Sequence, residues 1–413
     1  MRDGIRRRLG CLFAAATALL ALSPQLGTLA TLPDEMVMSP GSMTRIPVSA
    51  AVRAGIDAGG GTAGLAADYR EQDGLTITAD GQGEGEVTFR LLGVLPLRTV
   101  KVSVQPRRVL IPGGQSVGVA LNTRGVVVVG NSDLGKLPSP ARLAGLKSGD
   151  VIQSVDGEAV TSARQLSLSL SEGDTVRLGV VRNGRALEYD VTPAQDSRDG
   201  AYRLGAWVRD STAGVGTLTF SDPQSGACGA LGHAITDIDT GVVMPVGEGE
   251  LYANSVVDVT PSREGAPGEL TGDFFAAPNS LGSVTKNCEY GVYGKTERPL
   301  ESELYPEGLP IAGRDQIHTG EATLLTTVEG DSVREYECEI VSISDRFEPA
   351  SRAMVIRITD AELLDRTGGI VQGMSGSPLI QDGRIIGAVT HVMVNDPSMG
   401  YGIAIDTMLE AME

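Results

Sequence analysis

The sequence predicts a mainly β chain of several domains, with two β-barrels forming its carboxy-terminal half. Length is the first reason, because 413 residues hold two or three cores at roughly 100–200 residues each. Composition is the second: glycine is abundant at 54 residues and aromatics make up only 4%, which suits short strands and many turns. Periodicity is the third. Apolar runs are short and turn-bounded, and the repeated amphipathic helices that a βαβ fold needs are lacking. The formal charge of −18 argues against nucleic acid as a partner and against broad attraction to anionic lipid, and it reads as a solubility device.

Taken in order, residues 1–30 read as a signal sequence or membrane anchor. Arg2, Arg6, Arg7 and Arg8 precede an uncharged apolar run, Leu9–Leu22, ended by Ser23–Pro24. That run is short against the roughly 20 residues a membrane span requires. Thr28-Leu29-Ala30 offers small residues for cleavage, and removal and retention are both open. Residues 31–108 predict a small β-rich region with strands at Leu75–Ala79, Glu86–Leu91 and Thr99–Val104, and Gly-rich runs at Gly55–Gly64 and Asp80–Glu86.

Residues 109–193 carry a different pattern. Pro112-Gly113-Gly114-Gln115-Ser116-Val117-Gly118-Val119 reads as a loop entering a strand. Ala141–Gly157 then reads as a short helix stopped at Gly145, a strand Val151–Val155 and an Asp-Gly turn. Thr161–Leu170 predicts a second helix, and Val176–Arg182 with Glu188–Thr192 a hairpin about Asn183–Gly184. The order resembles bacterial PDZ modules, α+β domains that capture a peptide carboxylate on backbone N–H groups and accept the peptide on a strand edge. On that resemblance Ser116, Val117, Gly118 and Val119 form the carboxylate loop, for a peptide or C-terminal segment of another protein or of this chain. Pro193–Gly200 reads as the junction to the last domain, residues 200–413.

Within that domain, Gly216–Asp222, Ala230–Ile235, Gly241–Pro245, Ala253–Val259, Glu321–Val328, Arg334–Ser342 and Ala353–Thr359 predict strands, and Thr407–Met412 a terminal helix. Its most informative stretch is Gly368–His391. A serine, Ser375, sits among glycines in Gly-Met-Ser-Gly-Ser-Pro, on a loop between strands. Small neighbours let a substrate carbonyl approach, and the N–H groups of Gly373 and Ser375 can converge on an oxyanion. A nucleophile elbow would instead lead into a helix, so the arrangement is that of chymotrypsin-like double-barrel peptidases.

A serine nucleophile needs a base, and the chain offers three histidines. His318 lies in a polar stretch resembling a surface turn. His391 ends the strand after the nucleophile loop, too near to swing back. His233, in Gly-Ala-Leu-Gly-His-Ala-Ile-Thr-Asp, is the expected base. Asp360, at the end of a short apolar strand, is the expected orienting acid, giving the chain order His, Asp, Ser. Asp237 and Asp239 are rivals set close to His233 on one strand. Thr390, His391 and Val392 are expected to line the substrate groove. Cys228 lacks an oxyanion loop, Cys11 lies too early to be a lipid-attachment site, and Cys228, Cys288 and Cys338 allow three single pairings. No Cys/His spacing suggests zinc, so neither metal nor cofactor is expected.

Residues Leu204–Asp406 resemble the stage IV sporulation protein B (SpoIVB) peptidase family. The carrying motifs are Gly229–Asp237, Thr367–Pro378 and Ile386–Pro397. The resemblance implies a serine endopeptidase with Ser375 as nucleophile, His233 as base and Asp360 completing the site. It also implies export across the cytoplasmic membrane and initial membrane attachment through the amino-terminal segment. The place of action would be the intermembrane space of the forespore. There the peptidase cuts a protein in a membrane complex, and itself, to trigger intramembrane proteolysis and activation of a late sigma factor. One departure stands out: Met374 replaces the Asp that ordinarily precedes the serine, so activation by an ion pair with a new amino terminus is excluded. Two other classes compete. One is a periplasmic-type PDZ quality-control protease, in which the PDZ module usually follows the protease. The other is a non-catalytic PDZ scaffold.

Overall fold

The computed structural model describes residues 28–29, 32–48, 51–57, 64–70, 74–104, 108–170, 173–273, 280–344 and 349–413. The charged start, the Leu9–Leu22 run, Cys11 and Ala30 lie outside them, as does most of the Gly55–Gly64 run. Among the described residues no helix is long and apolar enough to cross a membrane. The chain divides into two compact units, Met1–Arg108 and Val109–Glu413.

Among its described residues the first unit holds seven strands: β1 (Glu35–Met38), β2 (Ser42–Ile46), β3 (Val52–Asp57), β4 (Leu65–Arg70), β5 (Gly74–Ala79), β6 (Gly83–Leu91) and β7 (Leu95–Val104). They form sheets ordered β1-β7-β6-β3 and β2-β5-β4. Alternating residues such as Ile77, Val87, Phe89, Val100 and Val102 share one buried core, so this region is a small β domain.

The second unit opens with β8 (Val109–Pro112), β9 (Ser116–Asn131), α1 (Pro140–Ala144), β10 (Val151–Val155), β11 (Glu158–Ala159) and α2 (Ala163–Ser169), followed by β12 (Val176–Arg182) and β13 (Arg185–Val191). Local chemistry fixes these elements. Ser139 caps α1 by accepting from Arg142 N, and Gly145 ends it at φ 100°. Ser162 caps α2 in the same way. Asn183 and Gly184, both at positive φ, make the turn of the β12–β13 hairpin. This is the PDZ domain, packed around Val128, Ile152, Leu166 and Leu178.

The unit continues through the short ribbon β14 (Ala194–Gln195) and β15 (Tyr202–Arg203), then β16 (Ala206–Ser221), β17 (Ala227–Ala230), β18 (Val246–Ala253), β19 (Ser255–Thr260), β20 (Glu269–Asp273), β21 (Ser280–Cys288), β22 (Gly291–Thr296) and β23 (Leu309–Pro310). The second barrel follows as β24 (Gly320–Thr326), β25 (Arg334–Ile343), β26 (Met354–Ile358), α3 (Ala361–Thr367), β27 (Pro378–Gln381), β28 (Arg384–Val392), β29 (Met399–Ala404) and α4 (Ile405–Met412). Its six strands close in the order β24-β25-β26-β29-β28-β27.

The first barrel is not complete within residues 200–413. Its ring runs β9-β18-β21-β22-β17-β16 and returns to β9, so a strand expected to serve the PDZ module closes it. β9 is shared. Val117, Val119, Leu121 and Val127 face the barrel core, whereas Val126 and Val128 face the PDZ core. Two further expectations are corrected. Ala230–Ile235 is not a continuous strand, because β17 ends at Ala230 and the chain turns through Leu231 and Gly232 in the left-handed region. Gly241–Pro245 contributes only an isolated bridge, Thr236 to Val243. Phe220 and Tyr293 from the first barrel pack against Ile385, Ala388 and Ile403 of the second and Ile405 and Met408 of α4, which locks the barrels together. Each Phe, Ile or Met among them contributes about 1.5–3 kcal/mol on burial.

Candidate active site

The loop Gly368–Ser377 carries Ser375, and the first barrel holds it by its carbonyls. Thr217 N donates to Ser375 O at 2.9 Å, Thr217 Oγ1 to Gly373 O at 2.7 Å and Thr219 Oγ1 to Gly376 O at 2.8 Å. β16 therefore presents threonines at alternate positions on one face, and they read the loop backbone. Gly376 is obligatory: at φ +96° a Cβ there would sit 2.1 Å from Thr217 O. With its carbonyls held, the loop leaves donors free. Met374 N is spent on Val371 O at 3.1 Å, but among the described residues the N–H groups of Gly373 and Ser375 meet no protein acceptor. Two unmatched backbone donors flanking a serine are the raw material of an oxyanion site.

Ser375 Oγ donates to Thr390 O at 2.8 Å. No hydrogen bond joins the hydroxyl to an imidazole in this conformation, so a rotation about χ1 has to precede attack. His233 reaches the same place by another route. The left-handed pair Leu231 (φ 68°) and Gly232 (φ 69°) turns the chain out of β17, and Gly232 lies against Thr390, where a Cβ would come within 3.1 Å of the methyl group. Non-glycine residues pay for such a backbone, and it is found where surroundings enforce it. The result is a half-buried His233 whose Nδ1 lies 2.9 Å from Ala234 O. A carbonyl can only accept, so Nδ1 carries the proton and Nε2 is left as the basic nitrogen. Burial pushes the His233 pKa below 6.5, and the Ala234 carbonyl opposes this in part.

The structure also brings His391 to this site. Its ring centroid lies 5.0 Å from that of His233, with 36° between the planes. His391 is exposed near the end of β28, yet partial desolvation of the ring, the neighbouring His233 and the charge of Arg352 push its pKa down to about 4. Thr390 beside it is buried, and its Oγ1 donates to Ser351 O at 2.6 Å. Thr390 and His391 are thus beside Ser375 and His233, with Val392 next along β28. The direct pairing of the two imidazoles was not foreseen, since a strand's end gives no sign of which turn will come to face it.

Asp360 is not brought to either imidazole, which corrects the expected triad. It is the N-cap of α3: Oδ1 accepts from Leu363 N at 2.9 Å, and Oδ2 faces Glu337 N at 3.4 Å. The site lies by Ser351–Arg352, before β26, whereas Asp360 follows its other end, about 16 Å of strand away. The signal was present in the sequence, because Asp followed by Ala-Glu-Leu-Leu is a helix start. Asp237 and Asp239 do not replace it: both pair with Arg209, and Asp237 Oδ1 also accepts from Thr240. The acceptor that orients His233 is therefore a main-chain carbonyl. His318 is elsewhere, its Nε2 2.8 Å from Asp382 Oδ2 on an exposed turn.

Ser116, Val117, Gly118 and Val119 do not form a carboxylate loop. They are an interior stretch of β9, paired with Thr217–Gly214 of β16 on one side, while Val117–Val119 face Ala253–Leu251 of β18 on the other. Ser116 Oγ accepts from Asn254 Nδ2 at 2.6 Å. A strand with both edges filled has no backbone donors left for a ligand. Cys228 and Cys338 are buried in separate barrel cores, with thiols pushed up to about 11 and about 12 by desolvation, and these two and Cys288 are free. Among the described residues no cluster of His, Cys, Asp and Glu is placed to hold a metal.

The SpoIVB peptidase S55 family model matches residues 200–409, and a PDZ domain model matches residues 116–192. Among curated proteins, the chain is similar to a probable periplasmic serine endoprotease, DegP-like, of Brucella suis. Identity is 31% over 147 residues, covering 33% of this chain and 27% of that protein. A protein of the same description from Bartonella henselae is 34% identical over 112 residues, covering 25% and 22%. The chain spans about a quarter of the length of the curated relatives it matches. Among solved structures, the PDZ domain of an SdrC-like protein from Listeria monocytogenes is 24% identical, covering 21% of this chain and 90% of that one with a TM-score of 0.18. The active form of the Rv3671c protease from M. tuberculosis is 14% identical, covering 49% and 73%, with a TM-score of 0.27.

Proposed function

This chain belongs to the SpoIVB peptidase S55 family and is a serine endopeptidase with a PDZ domain, and from that premise we propose that Ser375 is its nucleophile and His233 its base. Nε2 of His233 takes the hydroxyl proton as Ser375 Oγ leaves Thr390 O and attacks a peptide carbonyl. The free N–H groups of Gly373 and Ser375 receive the negative oxygen. The proton passes to the leaving amine, and water, activated by the same imidazole, releases the acyl group. The Ala234 carbonyl holds the ring in the productive tautomer. Thr390, His391 and Val392 line the approach. The observation that carries this reading is the serine loop itself, clamped to β16 through the carbonyls of Gly373, Ser375 and Gly376 around two unmatched donors. Labelling with a fluorophosphonate tests it: wild type should carry the label on Ser375, and failure to label the pure protein overturns it.

The biological setting follows the family and the amino-terminal pattern. The chain is exported, first attached to a membrane, and acts between the forespore membranes on a protein of a membrane complex. That cut, with cleavage of the chain itself, triggers intramembrane proteolysis and late sigma-factor activation. The similarity to DegP-like proteins favours a second reading, a periplasmic quality-control protease. Deleting the gene separates the two: loss of sporulation supports the first, and loss of stress tolerance with normal spores supports the second.

A further inference from the structure

The acyl transfer uses one imidazole as a base, yet the two barrels bring two together. His233 follows the end of β17 in the first barrel, and His391 lies on β28 in the second. Their ring centroids are 5.0 Å apart, with 36° between the planes. Backbone packing sets that separation. Gly232, in the left-handed region, lies against Thr390, the residue before His391, and a Cβ there would come within 3.1 Å of the Thr390 methyl group. Two imidazoles on one zinc ion, at Zn–N lengths of about 2.0–2.1 Å and a tetrahedral angle, hold their centroids about 5 Å apart. The observed separation falls on that value.

The ring nitrogens suit a metal as well. Nδ1 of His233 donates to Ala234 O at 2.9 Å, which leaves the lone pair on Nε2. Metal-binding imidazoles commonly give their other N–H to a carbonyl or carboxylate, and that bond fixes the tautomer and the aim of the ring. Among the described residues neither nitrogen of His391 makes a hydrogen bond, and the side chain is exposed, so a solvated ion can reach the pair. Two features weaken the site. No third His, Cys, Asp or Glu joins the pair among the described residues. The charge of Arg352, whose guanidinium lies over the Tyr401 ring at 5.1 Å, also acts on His391 and opposes a cation. Resident zinc has three or four protein ligands. Two imidazoles, with water completing the coordination, instead make a site that fills and empties with zinc concentration. Magnesium and calcium, which take oxygen ligands, do not suit it.

We propose that His233 and His391 together bind one zinc ion reversibly, and that the bound ion shuts off the peptidase by occupying Nε2 of His233. The binding stands on the geometry of the two rings. The inhibition rests on the reading of His233 as the base, since a lone pair given to zinc cannot take the Ser375 proton. No covalent bond changes, so removing the ion restores the free base.

The test is calorimetric titration of the untagged full chain with zinc chloride near neutral pH. Cys288→Ser and His318→Ala are built in first, because a half-buried free thiol and the exposed His318–Asp382 pair are outlying zinc ligands. His233 and His391 are then the only histidines left. One zinc per chain should bind with a micromolar dissociation constant, and magnesium chloride should give no binding heat. His233→Ala and His391→Ala should each weaken zinc binding at least about tenfold. Fluorophosphonate labelling of the parent protein should fall as zinc saturates it and return with EDTA. No zinc binding, or binding that survives both substitutions, overturns the site and leaves the rings an aromatic pair. Labelling that persists at zinc saturation overturns the inhibition. Should a histidine variant fail to fold, zinc-induced shifts of the two remaining imidazoles in the nitrogen-15 NMR spectrum of the parent decide. A metal-free protein that takes no label rejects the assigned nucleophile, while calorimetry still decides the zinc site.

Discussion

At the scale of single residues, His233 departs from the expected relay, in that a main-chain carbonyl rather than a carboxylate fixes its tautomer. The first consequence concerns pH. A base whose pKa is lowered stays neutral further into acid, so the acid limb of kcat/KM should have its midpoint below 6.5, as measured on a fluorogenic peptide across pH 4–8. A midpoint above 6.5 would point to a hidden carboxylate partner. His233→Ala should lower the rate at least about a thousandfold with the melting temperature preserved. Asp360 separates the two views of the site most sharply. As a helix cap, Asp360→Ala costs about 1 kcal/mol by chemical denaturation, and Asp360→Asn, an equally good cap, restores both stability and activity. As a member of a triad, the Asn variant would be inactive although stable.

At the scale of elements, the loop that carries Ser375 is made by contact rather than by its own sequence. Its turn needs Gly376 at positive φ against β16, and the threonines of that strand hold its carbonyls. Gly376→Ala should therefore cost about 3 kcal/mol and abolish fluorophosphonate labelling, since the loop must withdraw from Thr217 and scatter its free donors. Secondary structure was legible where local chemistry decided it. The strand Val151–Val155, the stop at Gly145 and the Asn183–Gly184 hairpin are found where the residues place them. The reading failed at Ala230–Ile235, where an apolar run that looks continuous is broken at Leu231 by the packing of Gly232 on Thr390. It failed again at Asp360, where a strand end doubles as a helix start.

At the scale of the whole molecule, the PDZ and peptidase domains share β9 and cannot be cut apart at the junction Pro193–Gly200. A chain truncated to residues 200–413 lacks that strand, leaves the first barrel open and exposes Leu218, Leu251 and Val284. It should fail to give cooperative thermal unfolding or a near-UV circular dichroism signal, whereas residues 109–413 should give both. Cooperative unfolding of the shorter chain would show that another strand can close the ring.

The sequence by itself determined the mainly β class and the short helices and hairpins of the PDZ module. Each of these rests on neighbours a few positions apart, through turn geometry, capping and alternation. Tertiary structure alone decided that β9 belongs to two cores, that Asp360 caps a helix, that His391 faces His233 and that Ser116–Val119 is closed on both edges. The physical reason is that a backbone edge or a side chain can be satisfied by many partners equally well from the standpoint of its own segment, and only closure of both barrels selects among them.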